Sequence, residues 1–507
     1  MSDIQLTGTR LTRADVVAVA RGDATVGLST EARDAMTHSR QVVENLAASG
    51  EPAYGISTGF GALADKFIPE NRRRELQRNL IRSHSAGMGP RVEREVVRAM
   101  MLLRARTVAM GFSGLRPLVV DRMLDMLNAG VTPAVHEYGS LGASGDLAPL
   151  AHAALALLGE GTVELGGVDQ EAAMALATLG WEPLDLEAKE GLALINGTDG
   201  IQGMLVLALA DLETLLTTAD ITAAMSVEAL LGTNRAFAAD IIAMRPQPGQ
   251  AISAANMREA LAGSPIVASH RHDDPRVQDA YSLRCTPQVN GAARDTWAYA
   301  ASVVENEMRS AIDNPVVTQD GRVESGGNFH GVPLGLACDF LAIATAEVGA
   351  IAERRIDRML DPARSHGLPP FLSGDPGVSS GLMIAQYTAA SIVAENRRLA
   401  APASVDSLPT SAMQEDHVSM AWGAARKLRR AVANLGRLLA VELVTAAQAI
   451  EMREPDAGPV TGRVVARLRE VVDHLDTDRV LAPDLAAATE LVMSGAVVPA
   501  AGLSEEP

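Results

Sequence analysis

Aromatic residues are scarce in this chain. Seven Phe, five Tyr and three Trp make up 3% of the sequence. That argues against stacking platforms for single-stranded nucleic acid. Cysteine is scarcer still: Cys285 and Cys338 are the only two, which excludes a disulfide framework and any cysteine-rich metal site. Basic charge is also in short supply. Lys+Arg at 44 against Asp+Glu at 62 leaves a formal net charge of −18 over 507 residues. A nucleic-acid binder needs a basic face, and so does a protein held on an anionic membrane surface. Long apolar runs are missing as well. The stretch Gly203–Ala210 is cut by Asp211, well short of the ~20 residues a membrane helix needs. The opening MSDIQLTGTR has no apolar segment of the kind a secretory signal carries. These absences set the expectation of a cytoplasmic protein with no nucleic-acid or membrane partner.

What is present is material for a large core: 47% hydrophobic and 21% charged residues. Helical periodicity is strong. In 91–110 the apolar residues Val92, Val96, Met100 and Leu103 fall on one face. In 422–452 Leu428, Val432, Leu435, Leu439, Leu443, Ala446 and Ile450 do the same. The segment 334–352 is apolar nearly all round, with Asp339 and Glu347 its only charges, and predicts a helix at the centre of a bundle. The Ala-rich segment 201–231 reads similarly. Strand signals are few: a short hairpin at 316–324 around Asp320-Gly321, and a strand or two in the first 30 residues. The fold class expected is mainly α, a long-helix bundle with a mixed, mostly helical N-terminal part carrying the active-site loops. The expected division is 1–200, holding a Tyr-bearing loop and a Gly-rich loop, and 201–507, a central helical bundle with C-terminal helices.

The loops with distinctive chemistry lie at 54–62, 136–149, 272–288, 324–331 and 404–417. The richest is Gly139-Ser140-Leu141-Gly142-Ala143-Ser144-Gly145-Asp146-Leu147-Ala148-Pro149-Leu150. Read locally it is a Gly-rich loop entering a helix, with Asp146 as N-cap and Pro149 in the first turn. The tripeptide Ala-Ser-Gly decides nothing alone, since Ala48-Ser49-Gly50 repeats it. The longer run resembles the signature of the histidine and aromatic amino acid ammonia-lyase family. Further matches follow in the family's order: Tyr54-Gly55-Ile56-Ser57-Thr58-Gly59-Phe60-Gly61, Gly191-Leu192-Ala193-Leu194-Ile195-Asn196-Gly197-Thr198, Gln278-Asp279-Ala280-Tyr281-Ser282-Leu283-Arg284-Cys285 and Gly326-Gly327-Asn328-Phe329-His330. The resemblance spans nearly the whole chain.

The resemblance implies that Ala143, Ser144 and Gly145 cyclise to 4-methylideneimidazol-5-one (MIO), by attack of the Gly145 nitrogen on the Ala143 carbonyl carbon and loss of two waters. Such a group supplies the strong electrophile that unmodified side chains lack. It implies Tyr54 as the base, Asn196 and Tyr281 as catalytic partners, Arg284 and Gln278 on substrate, and Phe329 closing the pocket. It also implies a homotetramer with shared active sites. Ser83-His84 and the run Ser411-Ala412-Met413-Gln414-Glu415-Asp416-His417 resemble the family members that act on L-histidine and form trans-urocanate. A carboxylate such as Glu415, with His84, suits an imidazole N–H that a phenyl ring does not have. Met413 departs from the Asn of many relatives, and Asp199-Gly200 from their commonest run. The alternatives are a phenylalanine or tyrosine ammonia-lyase, or an aminomutase on the same scaffold. A catalytically dead helical scaffold and a fumarase-like lyase are further rivals, against which the intact Ala143-Ser144-Gly145, Tyr54 and Arg284 argue. No metal is expected: the pair His270 and His272, with Asp273 next door, is a weak signal without a third placed ligand.

Overall fold

A computed structural model of the chain describes residues 4–8, 11–22, 24–49, 51–272 and 274–503. The fold is mainly α, as expected, with 20 α-helices and 59% helix among the described residues. Each long apolar segment forms one continuous helix: Arg94–Ala109, Asp199–Ala229, Val332–Leu360 and Ala421–Glu451. Among the described residues strand is confined to sheets of two or three strands. Ile4–Leu6 pairs in parallel with Val26–Leu28. The hairpin around Gly321 pairs Val316 with Glu324 and Val317 with Val323. Asp273 lies outside the described residues, and so does Gly50.

The chain forms two compact units, each assembled from separate stretches. One comprises Met1–Leu207, Ala301–Asp339 and Pro402–Arg426; the other comprises Ala208–Ala300, Phe340–Ala401 and Lys427–Pro507. Within the first, the Arg94–Ala109 helix is buried on nearly every side, not on one face alone. Its arginines reach backbone carbonyls of neighbouring segments. Arg98 donates to Val19 O and Leu127 O, near the C-terminal ends of the Arg13–Gly22 and Pro117–Asn128 helices. Helix ends leave carbonyls unpaired and carry partial negative charge, so a guanidinium there is satisfied without solvent. Arg104 donates to Asn196 O and Ile312 O, and Arg106 to Ser310 O.

Within the second unit, Glu442 accepts the hydroxyls of Thr222 and Ser226, both at 2.8 Å, and pairs with Arg355. Both partners of that pair are fully buried, so removing one would cost about 3–5 kcal/mol. The Val332–Leu360 helix is long and apolar enough, by length and composition, to cross a membrane, contrary to the sequence expectation of shorter runs. Its most apolar window is 61% buried inside the protein, the pattern of a core helix. Asp339 within it accepts the backbone N–H groups of Ala403 and Ser404 at 2.9 and 2.7 Å, so its charge is spent internally.

Candidate active site

The Gly-rich loop is held from both sides. Asp146 N–H donates to Gly197 O at 2.7 Å, and Gly145 bridges to Gly197. Ser419 Oγ donates to Gly142 O at 2.8 Å, and Met420 N–H to Leu141 O at 2.8 Å. Gly145 has φ +76°, and a Cβ there would overlap the Gly197 carbonyl. Only glycine fits, for conformation and for space together. Asp146 is the N-cap residue of the Leu147–Leu157 helix by position, yet its side chain does not cap that helix. Its Oδ2 instead accepts Gly200 N–H and Ile201 N–H, at 2.8 and 2.9 Å, in the first turn of the Asp199–Ala229 helix. The local reading placed the cap on the wrong helix because the recipient lies 54 residues away in sequence. Burial pushes the Asp146 carboxyl up to about 7, against the pull of the Ile201 N–H; nearby Asp199 adds to the rise.

A cavity of about 440 Å³ opens beside this loop. Tyr54, His84, Ser144, Asn196 and Glu415 line it together, with Leu80, Leu192, Asn314 and Ser411 among their neighbours. Ser144 Oγ donates to Glu415 Oε1 at 3.3 Å, joining residues 271 positions apart. Ala143 and Gly145 flank Ser144 in the loop.

Tyr54 Oη accepts Gly61 N–H at 3.0 Å, and its ring meets Phe60 edge-on at 6.3 Å. Burial raises the phenol above its ordinary value, and the Glu415 carboxylate adds to the rise; the Gly61 N–H offsets part of it. A base acting near neutrality calls for the reverse, so the residues of this cavity do not by themselves activate Tyr54. His84 Nδ1 lies 3.0 Å from Leu80 O. A carbonyl only accepts, so Nδ1 carries the proton and Nε2 is the acceptor. Burial lowers the His84 pKa, favouring this neutral form. Asn196 is fixed by the same logic. Its Nδ2 donates to Asn314 O at 2.7 Å, which orients the amide and leaves Oδ1 buried without a protein donor.

The remaining sequence candidates lie elsewhere. Phe329 is half-buried and does not line the cavity, although its loop abuts it: Gly326 N–H donates to Asn314 Oδ1, and Gly331 N–H to Gly142 O. Gln278, Tyr281 and Arg284 belong to the second unit. Gln278 is exposed and lines a different cavity, with Arg276 and His270. Tyr281 is 70% exposed, with the Arg284 guanidinium 4.6 Å from its ring centre; Arg284 Nε donates to Asp279 O at 2.9 Å. Among the described residues no cluster of His, Cys, Asp or Glu is placed to hold a metal. Sequence reasoning missed Asn314, which orients Asn196. It also missed Lys189, whose buried ammonium pairs with Asp313 at 2.7 Å next to Asn314. Nothing in the local sequence marks either.

The model of the family described as "Aromatic amino acid lyase" matches residues 11–470. This chain belongs to the aromatic amino acid lyase family. A relative from Streptomyces avermitilis named histidine ammonia-lyase is 60% identical over 494 residues, covering 97% of this chain and 96% of the relative. Among solved structures, a histidine ammonia-lyase from Trypanosoma cruzi is 39% identical with a TM-score of 0.91, covering 100% of this chain and 96% of that one. A tyrosine aminomutase from Streptomyces globisporus is also 39% identical, with a TM-score of 0.93 and 98% of each chain covered. The lyase fold and the ammonia-lyase class therefore follow.

Proposed function

We propose that the protein is a histidine ammonia-lyase, converting L-histidine to trans-urocanate and ammonia in the cytoplasm, with MIO formed from Ala143, Ser144 and Gly145. The observation that carries this reading is that Ser144 faces Glu415, its hydroxyl 3.3 Å away before it is lost as one of the two waters, inside the cavity that Tyr54, His84 and Asn196 also line. The loop fits the cyclised group. Gly145 is confined to a conformation and a space that no other residue can occupy, and Ser144 faces the cavity. MIO supplies an electrophile for the substrate amine, which makes ammonia a better leaving group.

The chain's own residues do the rest. Tyr54 takes the proton from the substrate β-carbon as the bond from the α-carbon to nitrogen breaks, leaving the double bond of urocanate. Its raised pKa requires a positive group nearby, and the Arg284 guanidinium of a neighbouring subunit, which would also bind the α-carboxylate, is the candidate before the carboxylate neutralises it. Asn196 offers Oδ1 to the α-amine. Glu415 accepts a ring N–H, and His84 orients the ring. Gln278 and Tyr281 would come from the same neighbouring subunit as Arg284, and Phe329 would close the pocket. A homotetramer with shared sites accounts for a cavity lined by one unit alone and for the exposure of Tyr281.

The test pairs mass with turnover. Intact mass should fall two waters below the encoded value, and Ser144→Ala should restore the encoded mass. Absorbance of urocanate should rise on L-histidine, while L-phenylalanine and L-tyrosine should give at most slow formation of cinnamate and coumarate. An unmodified mass in active protein would overturn the cofactor assignment. Preferred turnover of tyrosine, or a β-amino acid product, would favour the aminomutase reading that the Streptomyces globisporus likeness keeps in view.

A further inference from the structure

The segment that carries Glu415 is a closed turn of unusual backbone. Ser411, Ala412 and Met413 have φ of 49°, 51° and 72°, three successive non-glycine residues in the left-handed region. That conformation is unfavourable for any residue with a Cβ, so the neighbouring contacts must hold the turn. Those contacts run between its two ends. Thr410 N–H donates to Glu415 O at 2.8 Å, and Glu415 N–H donates to Thr410 O at 3.3 Å. The two residues therefore sit opposite each other as a bridged pair. Their side chains meet as well: Thr410 Oγ1 donates to Glu415 Oε2 at 2.7 Å. Thr410 itself does not line the cavity.

This arrangement separates the two oxygens of one carboxylate. Oε2 is engaged from behind by Thr410, while Oε1 is the oxygen 3.3 Å from Ser144 Oγ. A free glutamate side chain spreads over many rotamers, and fixing it costs entropy that a substrate would otherwise have to overcome. We propose that Thr410 is a positioning residue for specificity: its hydroxyl holds the Glu415 carboxylate so that Oε1 meets a substrate ring bearing an N–H donor. This rests on the reading of Glu415 as the partner of the substrate ring. The left-handed turn serves the same end, since it brings residue 410 back against residue 415.

Thr410→Val keeps the branched shape and removes the hydroxyl; Thr410→Ser keeps the hydroxyl. A hydrogen bond to a charged group contributes about 1.5–3 kcal/mol, so kcat/KM for L-histidine should fall by about tenfold or more in Thr410→Val. Thr410→Ser should stay within about threefold of the parent. Residual turnover of L-phenylalanine should hardly change in either, so the ratio between substrates moves only in the hydroxyl-free variant. Thr410→Ala supplies the same comparison if Thr410→Val does not fold. Undiminished discrimination in the hydroxyl-free variants, or a Thr410→Ser variant as impaired as they are, would overturn the proposal. Glu415→Gln separates the two levels. If it leaves L-histidine kcat/KM intact, the reading of Glu415 fails and the role of Thr410 with it. If it is impaired while Thr410→Val is not, the role of Thr410 alone fails.

Discussion

Tyr54→Phe isolates one oxygen atom. In the structure that oxygen accepts a single hydrogen bond, from Gly61 N–H at 3.0 Å, and the ring packs edge-on against Phe60. Phenylalanine keeps the ring and the packing. The structural loss is one neutral hydrogen bond at a partly buried site, about 1 kcal/mol. The catalytic loss should be much larger. A general base contributes about 10²–10⁴ in rate, equivalent to roughly 2.7–5.5 kcal/mol of barrier. The two effects therefore separate by magnitude and by assay. Urocanate formation should fall at least a hundredfold in kcat, while intact mass still shows the loss of two waters. The direction of the Tyr54 pKa adds a second readout. Burial and the Glu415 carboxylate both favour the protonated phenol, so the active, deprotonated base becomes more abundant as pH rises. kcat/KM of the parent should therefore climb on the alkaline side of neutrality, and the residual activity of Tyr54→Phe should lose that climb. A variant that turns over histidine at near-normal rate with an unchanged pH profile would remove Tyr54 from the role of base.

Two further outcomes follow from backbone and burial. Met413 is 67% exposed with φ +72°, and Asn tolerates that conformation better than Met. Met413→Asn should slow local opening of the 410–415 turn about two- to fivefold by hydrogen exchange; unchanged or faster exchange would refute the strain argument. Asp146 has its pKa raised to about 7 in the folded protein, so between about 4 and 7 the native state holds a proton that the unfolded chain releases. Its contribution to stability is complete below about 4 and is lost as pH rises through about 7, by at most on the order of 4 kcal/mol. Asp146→Asn retains an acceptor for Gly200 and Ile201 and removes the titration, so resistance to denaturant should decline less from pH 5 to 8 than in the parent, and parallel declines would count against this account.

The helices were legible because long apolar periodic segments have few other ways to bury their faces. The sites of Tyr54, His84, Ser144, Asn196 and Glu415 were legible through motif context, and these residues do share one cavity. Their supports were not. Asp146 reads as a cap for the helix that follows it, yet it caps a helix that begins 53 residues later, because the choice depends on where Gly197 brings the chain back. Arg98, Arg104 and Arg106 stand in a segment whose periodicity marks only its apolar residues, yet they are buried, each donating to a backbone carbonyl of another segment. The interleaving of the two units leaves no shift in composition at 301, 340, 402 or 427. The departure at Met413 was visible in the sequence, but its meaning depends on a dihedral angle.

These supports converge on Asn196, and what they leave unsatisfied bears on function. Lys189 and Asp313 are both essentially fully buried, and a buried pair is weak evidence of stability in itself. Asp313 Oδ1 accepts the N–H of Asn314 at 2.7 Å, tethering the residue whose carbonyl oxygen takes the Asn196 amide. Arg104 holds the Asn196 backbone oxygen from the other side at 2.9 Å. With a carbonyl facing its nitrogen, the amide has one orientation, and its Oδ1 is left without a donor. A buried acceptor left unpaired costs roughly 1–3 kcal/mol, and two buried charged groups are spent on keeping it in place. A substrate α-amine offers the N–H that this acceptor lacks. On the proposed function the cost would be recovered on binding, and the buried pair would then serve recognition of the amine as well as the core.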